Sequence, residues 1–167
     1  MKRFMLFMVM CLLFTGFSAI AAEKADKPKS CNCGMGKDVS ATGNVESPRS
    51  CKQCGMDRVA FAHGRMLILY ADGTTVGTCS LNCAAVDMKE NKGKKVKELR
   101  VADYGTKKLV DARTAVWVIG GSRDGIMTSV PKWAFSGKAD AEKFVKENGG
   151  RITDFDEALN LALRENE

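Results

Sequence analysis

Two pairs of cysteines, Cys51-x2-Cys54 and Cys79-x3-Cys83, are separated by 24 residues, and the chain between them is written as a β-hairpin. Met66 to Tyr70 is a nearly continuous apolar run, Ala71-Asp72-Gly73 has turn chemistry, and Thr74 to Thr78 again favours strand. A hairpin returns the chain to its start, so the second thiol pair is delivered beside the first. Ser80 is placed to cap a helix that runs to about Asn91 and closes at Lys92-Gly93, and Val96 to Val101 resumes strand character. The unit reads strand, strand, helix, strand.

The same order then recurs. Ala115 to Ile119 is an apolar strand, Gly120 to Gly125 a turn-rich loop, Val130 to Phe135 another strand, and Lys138 to Asn148 a helix closed by Gly149-Gly150. Sliding the chain by 56 residues without a gap lays CSLNCAAVDMKENKGK (79–94) over FSGKADAEKFVKENGG (135–150), the mark of an internal duplication. In that frame Cys79 meets Phe135 and Cys83 meets Ala139. The second copy is thus expected to place packing residues where the first has thiols, which makes those thiols binding groups rather than requirements of the fold. Met88, facing Phe144 in the same frame, reads as core filler.

The N-terminus speaks to compartment. Lys2 and Arg3, an apolar stretch over residues 4–18 and small residues at Ala19-Ile20-Ala21 have the form of a secretory signal peptide, 1–21. The run is shorter than the roughly 20 apolar residues that cross a bilayer, so the processed chain is expected to be exported, periplasmic or equivalent, and soluble rather than an integral membrane protein. Cys11 lies too early for a lipoprotein cysteine, and no lipobox follows. Residues 22–50, rich in Lys, Ser, Gly, Asn and Asp, cannot bury much surface and read as a mobile arm. That arm carries CNCGM, residues 31–35, a shorter echo of CKQCGM at 51–56. The remaining organisation is a first unit over 51–104 and a second over 105–167.

Losing Lys2 and Arg3 lowers the formal charge of +6 by two. The positive residues Lys92, Lys94, Lys95 and Lys97 are not interleaved with aromatics, and no nucleic-acid motif accompanies them. A solvated face is the reading, with docking to an acidic partner the minor one.

Two thiol pairs at this spacing, the second near a helix N-terminus, form a strong metal-site pattern, and on spacing alone structural Zn(II) leads. The helix end also favours thiolate. Methionine moves the reading towards Cu(I). Met56 follows Cys54 by two residues, Met35 follows Cys33 by two, and Met127 lies in the loop Asp124-Gly125-Ile126-Met127 of the second copy. Thioether and thiolate together suit Cu(I), and thioether needs no deprotonation. The expected ligands are therefore Cys51, Cys54, Met56, Cys79, Cys83 and Met127, with Cys31, Cys33 and Met35 as a second capture site.

The chain also resembles a known family. CKQCGM, Ala71-Asp72-Gly73, Val101-Ala102-Asp103-Tyr104, Leu109-Val110-Asp111-Ala112-Arg113-Thr114-Ala115 with Val118-Ile119-Gly120, Met127, and Ala141-Glu142-Lys143-Phe144 with Glu147-Asn148-Gly149-Gly150 occur in an order and spacing similar to the NosL family, from Cys51 to Ala158. Its members are periplasmic copper-binding accessory proteins of nitrous oxide reductase assembly. The resemblance implies an α+β fold of two small homologous strand-strand-helix-strand units, similar to organomercurial lyase, and Cu(I) binding. Typical members resemble lipoproteins and lack the Cys79-x3-Cys83 pair, which looks more like the cysteine-rich TRASH-type modules. The methionine loop reads GIMT where the family has glycine after methionine. The implied role is a Cu(I) metallochaperone, not an enzyme, with nitrous oxide reductase or another exported cuproenzyme as recipient; metal sequestration fits equally well.

Other readings stand beside it. The six cysteines outside the signal peptide are an even number, which suits a disulfide framework, with Cys51–Cys54 or Cys79–Cys83 as feasible pairs. A thioredoxin-type redox motif fits poorly, because Cys51-Cys54 precedes a hairpin rather than opening a helix. Organomercurial cleavage would require an acid such as Asp87 near the thiols, and the spacing does not single one out. His63 is expected as a surface turn residue, and Trp117 and Trp133 as packing on adjacent strands.

Overall fold

The computed structural model describes residues 48–167; the expected signal peptide, most of the expected arm, and Cys31, Cys33 and Met35 lie outside the described residues. Strand β1, Met66–Tyr70, alternates as its sequence demands, burying Met66, Ile68 and Tyr70. It pairs antiparallel with β2, Thr75–Thr78, on one side and with β3, Val96–Ala102, on the other. Strand β4, Leu109–Asp111, adds to β3 and completes a sheet of order β2-β1-β3-β4. A second antiparallel sheet places β5, Val116–Ile119, between β6, Lys132–Phe135, and β7, Arg151–Thr153.

Helix α1, Leu81–Glu90, lies in sequence between β2 and β3, and α2, Lys138–Asn148, between β6 and β7. Both units therefore run strand, strand, helix, strand, and both make their first strand the central one. The fold class is α+β, as expected. Helix α3, Phe155–Arg164, follows β7 and has no counterpart in the expected pattern. Asp154 caps it by accepting a hydrogen bond from the Glu157 N–H, and Phe155, Ala158 and Ala162 form its buried stripe.

The structure corrects the register of the duplication. Strand β6 starts 57 residues after β2, and α2 starts 57 after α1 (Thr75 to Lys132, Leu81 to Lys138). The cause is the α2 N-cap, which is Gly137 rather than Ser136. Cys79 and Cys83 then correspond to Ser136 and Asp140, both exposed, not to Phe135 and Ala139; of those two, Phe135 is buried and Ala139, expected to pack, is exposed. Ala84 and Ala141, both fully buried, are the true equivalents at the helix–sheet contact.

One apolar core spans the two sheets. Met66, Ile68, Tyr70, Leu99 and Val101 meet Trp117, Ile119 and Ala134, with Ala84 and Ala85 of α1 and Phe155, Ala158 and Ala162 of α3 closing the side. The small residues let α1 and α3 approach closely. A second cluster holds Val118, Ile126, Trp133, Phe135, Ala141 and Phe144 together with Cys51, Cys79 and Cys83. Asp103, 2% exposed, fastens the units to each other: it accepts from the Thr106 N–H and hydroxyl and from the Ser136 N–H and hydroxyl, at 2.6 to 3.0 Å. Among the described residues, no helix is long and apolar enough to cross a membrane.

Candidate metal centre

Residues 50–57 fold back on themselves as a tight knuckle. Ser50 and Asp57 form an antiparallel bridge, the Cys51 N–H donates to the Met56 carbonyl at 2.8 Å, and the Gly55 N–H donates to the Cys51 carbonyl at 2.8 Å. Gly55 has φ +74°, and a Cβ there would meet nothing within 4 Å, so glycine serves the backbone conformation rather than close packing. The Lys52 N–H donates to the Gly77 carbonyl at 3.1 Å. That bond docks the knuckle on β2, whose last residue immediately precedes Cys79.

Arg58 holds the same junction from beneath. Its guanidinium is fully buried and donates to the carbonyls of Thr78 (3.1 Å), Met66 (3.0 Å) and Pro48. A Cβ on Gly77 would come within 2.6 Å of that guanidinium, so the glycine is what admits it. Among the described residues no carboxylate pairs with Arg58. Burial and the neighbouring Arg65 charge lower its pKa, while Cys51 and Cys79 counter them.

Cys79 and Cys83 are set by the start of α1. Ser80 is the N-cap, its hydroxyl accepting from the Cys83 N–H at 3.4 Å. Cys83 is thereby fixed in the first turn, where free amides and the helix dipole favour an anion.

The four thiols converge: the Sγ atoms of Cys51, Cys54, Cys79 and Cys83 all lie within 4.8 Å of one another. Cys54 Sγ is 3.5 Å from Cys79 Sγ, and Cys79 Sγ is 3.7 Å from Cys83 Sγ. All four are free thiols, so neither of the disulfides considered from the sequence is formed. Zn–S bonds of about 2.3 Å in a tetrahedron imply S···S edges of about 3.8 Å; the Cys54–Cys79 and Cys79–Cys83 pairs stand close to that, and the rest of the set lies within 4.8 Å. Cys51, Cys79 and Cys83 are buried, and Cys54 is the one that opens to solvent.

The protons are unevenly held. A hydrogen bond from Cys79 draws Cys83 down to about 6 despite its burial, with Ser80 assisting. Cys79 is pushed up, first by that same bond and then by burial. Burial also raises Cys54. Cys83 is thus the thiol of the helix pair that gives up its proton more readily, and an incoming soft cation displaces protons from the thiols it binds.

The other expected ligands divide. Met56 is half-buried and packs against the cluster containing Cys51, Cys79 and Cys83. Met127 is 51% exposed and adopts φ +53°, strained for a non-glycine residue. Its neighbour Ile126 packs into the thiol-bearing cluster. His63 lies in a turn as expected but is half-buried rather than on the surface, its ring 5.7 Å from Tyr104 and 5.4 Å from Trp133. Burial, then Lys107 and Arg123, lower its pKa. Trp117 and Trp133 are buried on adjacent strands.

Three features were not anticipated. The fully buried Asp87, one turn beyond Cys83, accepts from Tyr70 Oη (2.6 Å), Lys52 Nζ (2.8 Å) and Gln53 Nε2 (3.2 Å). The Arg58 cradle is the second. The third is Glu165, which accepts from Asn82, Thr128, Ser129, the Val130 N–H and Lys132. Each is a long-range pairing; the only sequence signal is the four-residue step from Cys83 to Asp87, which places both on neighbouring turns of one helix face.

Comparison with known proteins agrees with this geometry. The family model described as NosL matches residues 42–160. The crystal structure of the copper chaperone NosL from Shewanella denitrificans superposes with a TM-score of 0.57 at 25% identity, covering 72% of this chain and 96% of that one. A search of curated proteins finds no match. With its paired strand-strand-helix-strand units and a family match over most of its length, the chain belongs to the NosL family.

Proposed function

We propose that the protein is a Cu(I) metallochaperone, working outside the cytoplasm and delivering copper to an exported cuproenzyme such as nitrous oxide reductase. The observation that carries this is the convergence of four free thiols within 4.8 Å beside the half-buried thioether of Met56. The solved relative is itself named a copper chaperone. Copper here is cargo. Cys51, Cys79 and Cys83 supply a buried thiolate floor, Met56 adds a donor that carries no proton, and solvent-facing Cys54 is where ligand exchange begins. A recipient's soft ligand bonds before Cys54 leaves, so the ion is never free. In this reading exposed Met127 receives or passes on the ion, and the Cys31-Cys33-Met35 segment supplies a second capture point.

The test is replacement of Cys51 and Cys54 by Ser. Tight Cu(I) binding should be lost from the reduced protein; unchanged affinity rejects the assignment.

Structural zinc is favoured by one specific observation, a set of four thiols within 4.8 Å of one another, the number that closes a structural zinc site. On that reading the protein retains Zn(II) against Cu(I) and unfolds when zinc is chelated.

A further inference from the structure

Two residues separate Cys51 from Cys54, and both turn their side chains towards α1. Lys52 Nζ donates to Asp87 Oδ2 at 2.8 Å, and Gln53 Nε2 lies 3.2 Å from that oxygen and 2.9 Å from Glu90 Oε2. Asp87 shares α1 with Cys83, one turn further on. One carboxylate therefore refers the knuckle carrying the first thiol pair to the helix carrying the second.

The carboxylate is held ready for this. Tyr70 Oη donates to Oδ1 at 2.6 Å from β1, and Asn91 Nδ2 lies 3.3 Å from the same oxygen, so Asp87 cannot swing out to solvent without breaking both. Its side chain is fully buried, while Lys52, its only cationic partner among the described residues, is 49% exposed. If the knuckle lifted, a buried carboxylate would lose its counter-ion and one of its amide donors, a costly state. The buried charge thus supplies a restoring force that keeps the knuckle down. Besides these side chains, the knuckle is fastened by the backbone bond from Lys52 to Gly77 and, at its base, by Arg58.

We propose that Asp87 is a positioning residue of the metal centre: through Lys52 and Gln53 it holds Cys51 and Cys54 at bonding distance from Cys79 and Cys83. The proposal rests on the thiol cluster being the copper site. Lys52 and Gln53 then act as the latch and Asp87 as its catch.

The experiment compares the reduced full chain with Lys52→Ala/Gln53→Ala and with Asp87→Asn. Cu(I) affinity is read by chelator competition, and the iodoacetamide labelling rate of Cys51 is read in the metal-free protein. The double variant should bind Cu(I) about tenfold more weakly, as lost supporting contacts around a metal site do, and label Cys51 about tenfold faster. Its melting temperature should fall, because buried Asp87 loses its only cationic partner among the described residues, so both readouts are taken well below that temperature. Asp87→Asn should move both readouts in the same direction; should it fail to fold, the double variant decides alone. Wild-type affinity or wild-type labelling in the double variant overturns the role of Asp87. Absence of Cu(I) binding in the wild type, with faster Cys51 labelling in the variant, removes the copper reading and leaves the latch standing.

Discussion

Asn82 donates to Glu165 Oε2 at 2.9 Å, joining the residue just before Cys83 to the C-terminal end of α3, 83 positions along the chain. The same carboxylate accepts from Thr128 Oγ1 and Ser129 Oγ at 2.7 Å, from the Val130 N–H at 2.9 Å and from Lys132 Nζ at 2.5 Å. One side chain thereby ties the helix of the thiol cluster to the loop that carries Met127.

Glu165→Gln should therefore destabilise the protein by about 3 kcal/mol at pH 7, because it leaves the Lys132 ammonium, 2% exposed, without its counter-charge. Urea denaturation measures this. Burial opposes ionisation of Glu165, but the bonds from Lys132 and Thr128 outweigh it and hold its pKa at about 2. A lowered pKa gives stability that is complete above the unfolded value, about 4.3, and is lost as pH falls through about 2. The wild type should lose stability over that window, and the Gln variant should lose less and converge with it at the acid end.

Arg58 and Gly77 should behave as one unit. Arg58→Ala strips buried carbonyls of Thr78 and Met66 of a donor and should cost about 3 kcal/mol. Gly77→Ala drives a methyl to within 2.6 Å of the guanidinium and should be comparably harmful in the wild type. In the Arg58→Ala background it should be nearly neutral, a non-additivity that a double-mutant cycle reads directly.

The two methionines should separate by assay. Met56→Ile should lower Cu(I) affinity about tenfold, ~1.4 kcal/mol, with Zn(II) affinity unchanged, since zinc makes little use of thioether. Met127→Leu, which avoids a β-branched residue at that positive φ, should leave Cu(I) affinity intact, because the side chain is exposed, and should slow transfer to an acceptor protein. Competition and stopped-flow transfer assays distinguish these outcomes.

Local patterns were legible in the sequence where a single segment carries its own instructions. The alternation of β1, the Ser80 cap and the Gly149-Gly150 stop each place an element within a residue or two of where it lies. The four thiols were legible because a hairpin returns the chain by construction. The duplication register was off by one, because Ser80 and Ser136 match in letter while only Ser80 caps a helix. Helix α3 carries its own signal in the helical spacing of Phe155, Ala158 and Ala162, but it lies outside the repeated strand-strand-helix-strand pattern. Asp87, Arg58 and Glu165 were hidden for a different reason: a buried charge declares itself only through partners brought in from distant segments. The Asp103 of the Val101-Ala102-Asp103-Tyr104 motif is the intermediate case, visible as a motif and explained only by its bonds to Thr106 and Ser136.

The central claim is tested most directly by Cu(I) competition against a colorimetric chelator on the fully reduced protein, with Zn(II) titrated alongside. The account predicts tight Cu(I) binding that persists in excess zinc and is lost with Cys51 and Cys54. Zinc retention with weak Cu(I) binding would contradict it and recast the four thiols as a structural knuckle.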